Sequence, residues 1–425
     1  MSMSLNRTGT WALALLLAMV LTSTASAQHM IGDLQLFRPW EEDCYDDCEP
    51  NEGFFVSWDL LVWNISSPEE AEVGVPGASR RQFVLSIFDD GTAEGGGGFE
   101  VVTNGLDTGD FEDLFHRGSR VEFGYMEDDC GWIVSAFDLQ GHTQELVGSD
   151  INVIFNDPGN RLIGFIDTED GIGGPSDGIV DDLNDNGVFG PDGIDIDADG
   201  IPDLPFPTDF ADVVPLPVNF NHLSTKLIVD PWSVEAMRIW RTDKSQFGGW
   251  FEVGVGLRYI NFSDEFLVFG EGGSLDDSLW DTEADNALFG PQFALRWFNK
   301  CCRWTHSVDL KFSPAVNFQS VRQRGFLGNN ALAGAPNFPF FGPQGFDDST
   351  HEVEFSPIVE LRMQTSFQLT RAIAVRAGYS AIYMDGIARA SSMVDYQLEG
   401  MGILDEENTQ DVTMHGFTFG IEVNR

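Results

Sequence analysis

From His306 to Gln319 the chain alternates with a period of two. Val308, Leu310, Phe312, Pro314, Val316 and Phe318 fall on one side, and Ser307, Asp309, Lys311, Ser313, Asn317 and Gln319 on the other. Such a period belongs to a pleated strand and cannot form the face of a helix. Nine other stretches read the same way: Phe54–Ile65, Ser119–Glu127, Gly131–Gln140, Trp232–Arg241, Gly249–Asn261, Ala287–Phe298, His351–Leu369, Ala372–Ile387 and Val412–Asn424, while the stretch above extends over Arg303–Ser320. The connections between the ten alternate short and long. Barrels of outer membranes have that rhythm, with short periplasmic turns and long outer loops. The expected fold is all-β, a transmembrane antiparallel up-and-down β-barrel of about ten strands over residues 54–425, with long outer loops.

The two faces of the strands sharpen this expectation. One set of rows is apolar: Phe251, Val253, Val255, Leu257 and Tyr259; Phe289, Phe293, Leu295 and Trp297; Phe355, Val359, Leu361, Met363 and Phe367; Phe417, Phe419, Ile421 and Val423. The opposite rows carry Glu252, Arg258, Arg296, Asp309, Lys311, Glu354, Glu360, Arg362, Arg376 and Glu422. Apolar rows suit lipid, and charges of both signs suit a wet or ion-paired lumen. A soluble sandwich also alternates. Several strands here run long for a globular sheet. Trp58, Trp63, Trp297, Trp304, Tyr379 and Tyr383 lie near strand ends, where interfacial aromatic girdles sit.

The beginning of the chain reads as an export signal. Arg7 precedes the uncharged apolar run Trp11–Leu21, and Ala25-Ser26-Ala27 is a small-residue cleavage site. Residues 1–27 are therefore expected to be a signal peptide, which directs the chain to the outer membrane. That run is too short to span a bilayer as a helix. Residues 28–53, polar and acidic, read as a periplasmic N-terminal extension. With 68 acids against 23 bases the formal charge is −45, which excludes nucleic acid as an expected partner because phosphate binding needs clustered Lys and Arg. A content of 42% hydrophobic residues, including 35 Phe and 11 Trp, argues against disorder. The cysteines, Cys44, Cys48, Cys130, Cys301 and Cys302, all fall on the periplasmic side of the predicted topology, and an odd count leaves at least one without an intrachain partner.

Several segments resemble a known group. They are SWDLLVW in the first strand, GYMEDDCGW at the first short turn, FGPQFALRWFNKCCRWTHSVDLKFSPAVNF, FSPIVELRMQTSFQLTRAIAVRAGYSAIYMDGIARA and the ending HGFTFGIEVNR. They resemble β-barrel porins of planctomycete-type bacteria over most of residues 54–425. The resemblance implies an outer-membrane barrel with a pore function and no catalytic residues. The chain departs from many outer-membrane barrels in ending on Asn424-Arg425 rather than on an aromatic residue.

Residues 156–225 form an Asp-rich insert in an outer loop. Between Arg161 and Lys226 there are 14 acids and no Lys or Arg, and Asp-Gly-Ile recurs at Asp170, Asp177, Asp192 and Asp199. Asp195, Asp197, Asp199 and Asp203 occupy positions 1, 3, 5 and 9 of a loop with Gly200 at position 6 and the carbonyl of Ile201 at position 7. That stagger wraps a hard Ca²⁺ ion in oxygens. A second loop is expected at Asp182, Asn184 and Asn186, with Gly187 and the carbonyl of Val188. The pattern resembles the Asp-rich loops of thrombospondin type 3 calcium repeats. Neither loop has the Glu at position 12 of an EF-hand, since Phe206 and Gly193 stand there.

The expected function is a porin-like channel for passive diffusion of small solutes, with a preference for cations, or a structural barrel. A calcium-binding outer loop belongs to either reading. Outer-membrane lipids are the expected partners, and the oligomeric state is open. Two alternatives stand beside this: a secreted calcium-stabilised β-protein, and an outer-membrane barrel enzyme. For the last, His116, His142, His222 and His351 are the rim candidates, with Asp348 near His351 as the close acid–His pair in an outer loop. No Gly-x-Ser-x-Gly is present, so no enzyme is expected.

Overall fold

The computed structural model describes residues 52–74, 85–86, 98–99, 105–111, 115–155, 188–190, 193–195, 204–205, 216–243, 249–273, 277–328, 344–397, 401–404 and 408–424. The large sheet contains β1 (Gly53–Ile65), β2 (Phe115–Glu127), β3 (Cys130–Leu139), β4 (His142–Phe155), β5 (Leu216–Arg241), β6 (Gly249–Glu271), β7 (Ser278–Cys301), β8 (Trp304–Leu327), β9 (Gln344–Gln368), β10 (Ile373–Ala388) and β11 (Thr409–Asn424). All pairings are antiparallel. β3 and β4 lie end to end along the same long β5, Asp138 opposite Trp232 and His142 opposite Val229. Counted as one stave, they make a ten-stranded barrel. It closes through β5–β6 and through β1–β11, where Phe55 faces Asn424.

The expected strands are all present, and most are longer at their outer ends. β5 begins at Leu216, inside the stretch given to the acidic insert, and β6 and β7 meet across residues 272–277 rather than a long loop. The reason lies in an inversion of polarity along each strand. In the lower part of β6, Phe251, Val253, Val255 and Leu257 are exposed outward while Glu252 and Arg258 are buried inward. Above Tyr259 the alternation keeps its phase but exchanges its chemistry. Ile260, Phe262, Phe266 and Val268 are buried inward, and Asn261, Ser263 and Glu265 face out. β8 changes over between Phe318 and Ser320, beyond which Arg322 and Arg324 point outward. The lower half is thus a lipid-facing barrel with a polar core. The upper half is a water-facing barrel with an apolar core.

The upper core is closed by the chain that leaves β10. Gly386, at φ +69°, sits at a register shift where the strand ends, a conformation that costs glycine little. Residues 389–397 and 401–404 then turn into the barrel. Tyr396 packs on Trp280 and Phe155, with ring centroids 6.2 and 6.1 Å apart, and Met393, Val394, Met401 and Ile403 are buried with them. Buried amides hold the turned-in backbone. Asn286 Nδ2 donates to the carbonyl of Ala388 at 2.8 Å and its Oδ1 accepts from the Ala388 N–H at 2.9 Å, while Asn317 Nδ2 donates to the carbonyl of Gly386 at 2.8 Å. Arg389, 1% exposed, bonds the buried Asp264 carboxylate and donates to the carbonyl of Ser66.

Phe266 is 1% exposed within this upper core. Phe266→Ala is expected to cost about 3–5 kcal/mol through lost transfer energy and a residual cavity, measured by guanidinium unfolding in detergent micelles.

Candidate functional site: the charged lumen

The lower lumen is filled by ionisable side chains from nearly every strand. Glu360 of β9 lies at its centre. It accepts a hydrogen bond from Arg258 Nη1 of β6 at 2.6 Å and sits 3.3 Å from Arg362, 3.5 Å from Arg120 of β2 and 4.0 Å from Lys311 of β8. Lys311 also donates to Glu235 of β5 at 2.5 Å, and Gln292 of β7 donates to Glu235 at 2.9 Å. Arg362 crosses to Glu122 of β2 at 3.1 Å. Arg296 forms a two-pronged pair with Asp309, and Arg376 another with Asp59. Around them Arg241 pairs with Glu252 and Arg376 with Glu422.

The charges balance. Asp59, Glu122, Glu235, Glu252, Asp309, Glu360 and Glu422 face Arg120, Arg241, Arg258, Arg296, Lys311, Arg362 and Arg376, seven against seven. A chain with a net charge of −45 thus carries a neutral ion-paired layer in its lower lumen. The physical reason is burial: Glu360, Arg120 and Lys311 are at most 2% exposed, and an unpaired charge in such a place is costly. Gly420 makes room for one of the pairs, since a Cβ there would lie 2.0 Å from Asp59 Oδ1.

These contacts run across the lumen. β2 and β9 are four staves apart, and β5 and β8 are three apart, so opposite walls touch through their side chains. The space left among Arg120, Ser135, Glu235, Arg258, Glu360 and Arg362 is too small for a water molecule. Ten staves enclose a lumen narrow enough to be filled this way. Below this layer a vestibule opens at the short-turn end, lined by Arg241, Glu252, Arg296, Lys300, Gln364 and Asn424.

Every inward charge expected from the alternation faces the lumen, including Glu354, which bonds Gln319 and Thr409. Asp59, Arg120, Glu122, Glu235 and Arg241 were not among them. The signal was present: Arg120 and Glu122 alternate with Val121 and Phe123. Trp63 is not a girdle residue. It is fully buried and inward-facing, with the Arg120 guanidinium 5.1 Å over its ring.

Among the described residues the expected acid–His pair is not brought together. His351 and Asp348, three residues apart on β9, fall on opposite faces of the strand. His116 is buried on the inner face. His222 Nδ1 is 3.4 Å from Ser149 Oγ at an exposed cross-strand position. The side chain of His142 lies outside the described residues. So do the proposed calcium ligands Asp182, Asn184, Asn186, Asp197, Asp199, Ile201 and Asp203, and the side chains of Val188 and Asp195. Of that insert, Val188–Gly190, Gly193–Asp195 and Leu204–Pro205 form a small antiparallel ladder. The signal peptide, Cys44 and Cys48 also lie outside the described residues. Cys130 and Cys301 are free thiols at the short-turn end, where Cys302 also lies.

No protein-family model and no curated protein matches the chain. Solved structures similar to it are outer-membrane barrels. The outer membrane protease OmpT from Escherichia coli matches at 7% identity and TM-score 0.38, covering 90% of this chain and all of its own. The Pseudomonas putida toluene transporter TodX matches at 8% identity and TM-score 0.23, covering 88% of this chain and 90% of its own. The Ralstonia pickettii toluene transporter TbuX matches at 8% identity and TM-score 0.21, with the same coverage. The closed ten-stranded fold and its outward apolar belt identify an outer-membrane barrel on their own.

Proposed function

We propose that this chain is a closed outer-membrane barrel with a structural and surface-presenting role, rather than an open diffusion pore. The cross-lumen ion network carries the reading. An open porin leaves water between its walls, whereas here Arg258, Glu360, Arg120 and Arg362 meet in the middle at hydrogen-bond or salt-bridge distance. The apolar upper core, into which Met393, Val394, Tyr396, Met401 and Ile403 pack, adds a second closure. No catalytic role is proposed.

What the barrel would present is its acidic outer segment. Calcium binding at Asp195, Asp197, Asp199, Ile201 and Asp203 is part of the proposal, supported by the ligand spacing. It is also supported by the backbone pairing of Ile194 with Leu204, which brings the two ends of that loop together.

Reconstitution of the mature protein in planar bilayers tests the closure. Inserted protein is expected to give no stable conductance steps, with or without Ca²⁺. Regular ohmic steps would show that the network parts to admit solute and would restore the porin reading.

A further inference from the structure

Glu265 of β6 and Glu283 of β7 stand directly opposite each other on the outward face, above the apolar belt, and Asp281 follows two residues away on β7. Like charges directly opposite one another weaken a ladder. One carboxylate oxygen from each of the three lies within 4.8 Å of the others. Arg324 of β8 reaches into the group, with Nη2 3.0 Å from Asp281 Oδ2 and 2.9 Å from Glu283 Oε1. Three carboxylates against one guanidinium leave a charge of −2.

A second observation concerns Asp281. Although it is on the outer face, it is only 8% exposed. Arg324 holds its Oδ2, and its Oδ1 is enclosed with no hydrogen-bond partner. Glu265 is half-buried and accepts no hydrogen bond or salt bridge among the described residues. The wall therefore holds oxygen acceptors with no donor to meet them.

We propose that Glu265, Asp281 and Glu283 form a divalent-cation site on the outer wall of the barrel, separate from the Asp-rich insert. The ligands are all oxygen, which favours a hard ion such as Ca²⁺ over Zn²⁺. The spread of the oxygens is about twice a Ca–O bond of ~2.4 Å, so one ion fits among them. Arg324 keeps Asp281 Oδ2 and Glu283 Oε1. Each of the three carboxylates offers the ion one oxygen, and water completes its shell. The ion would tie β6 to β7 where their facing glutamates push them apart.

Equilibrium dialysis with calcium chloride on the full mature chain in micelles tests this. The background carries Asp182→Asn, Asp195→Asn, Asp197→Asn, Asp199→Asn and Asp203→Asn, which silences the insert. Glu265→Gln with Glu283→Gln is then added, and heat-modifiable gel migration establishes that both proteins are folded barrels. The expected result is a loss of about one bound Ca²⁺ on adding the Gln pair, at millimolar calcium typical of extracellular sites. In parallel, calcium should raise the melting temperature of the background protein but not of the protein with the Gln pair. Equal calcium binding by the two, or none by either, would overturn the site.

Discussion

Glu360→Gln is expected to cost about 3–5 kcal/mol of folding stability, the range for removing one partner of a buried ion pair. Gln keeps the shape of the side chain but not its charge. Arg258, Arg120, Arg362 and Lys311, all within 4.0 Å of Glu360, would then face one another in a space that admits no water. The measurement is guanidinium unfolding in detergent micelles, followed by tryptophan fluorescence. Asp347→Asn is the control, because its pair with Arg322 is about half exposed on both sides and its loss should leave the midpoint unchanged. Adding Arg258→Leu to a Glu360→Leu background should recover part of the loss, since an apolar pair of similar volume needs no counter-charge. A small effect for Glu360→Gln would mean that water reaches the centre of the lumen, and the closed-barrel reading would fail with it.

Val255→Arg and Ser263→Arg lie on the same strand, on the same outward face, eight residues apart. They are expected to behave very differently. Val255 is 45% exposed within the apolar belt, where an arginine on the lipid face costs about 2–4 kcal/mol. Ser263 lies above the inversion, among Asn261, Glu265 and Asp285, where an arginine meets water and carboxylates, so the expected change is within about 0.5 kcal/mol. Folding into lipid vesicles, followed by urea titration, reads both. Equal costs would place the membrane boundary above Ser263 and would contradict the change of polarity near Tyr259.

The belt was legible in the sequence because a membrane imposes one rule on every strand that crosses it: apolar outward, polar inward. A local rule of period two can be read one strand at a time, and Val308–Phe318 or Phe251–Leu257 suffices. The upper wall was not legible by that rule. Between Asn261 and Glu271 the phase is unchanged, yet Phe262 and Phe266 point in and Ser263 and Glu265 point out, so the same alternation carries the opposite meaning. Reading it requires knowing where the water begins. The plug was hidden for a different reason. The stretch after β10 has no period, and the place of Gly386, Ala388 and Arg389, where it turns in, is fixed by Asn317, Asn286 and Asp264, which lie roughly 70 to 125 residues away in the chain.

The sequence by itself determined that this chain forms a barrel of about ten strands, which face meets lipid, and which charges turn inward. Those follow from the pleat and from the insolubility of charge in hydrocarbon, both local constraints. Only the tertiary structure decided whether the inward charges line a pore or close it. Closure depends on which side chains meet across the lumen, and Glu360 finds Arg258 and Arg120 only when β9 faces β6 and β2 around a ring of ten.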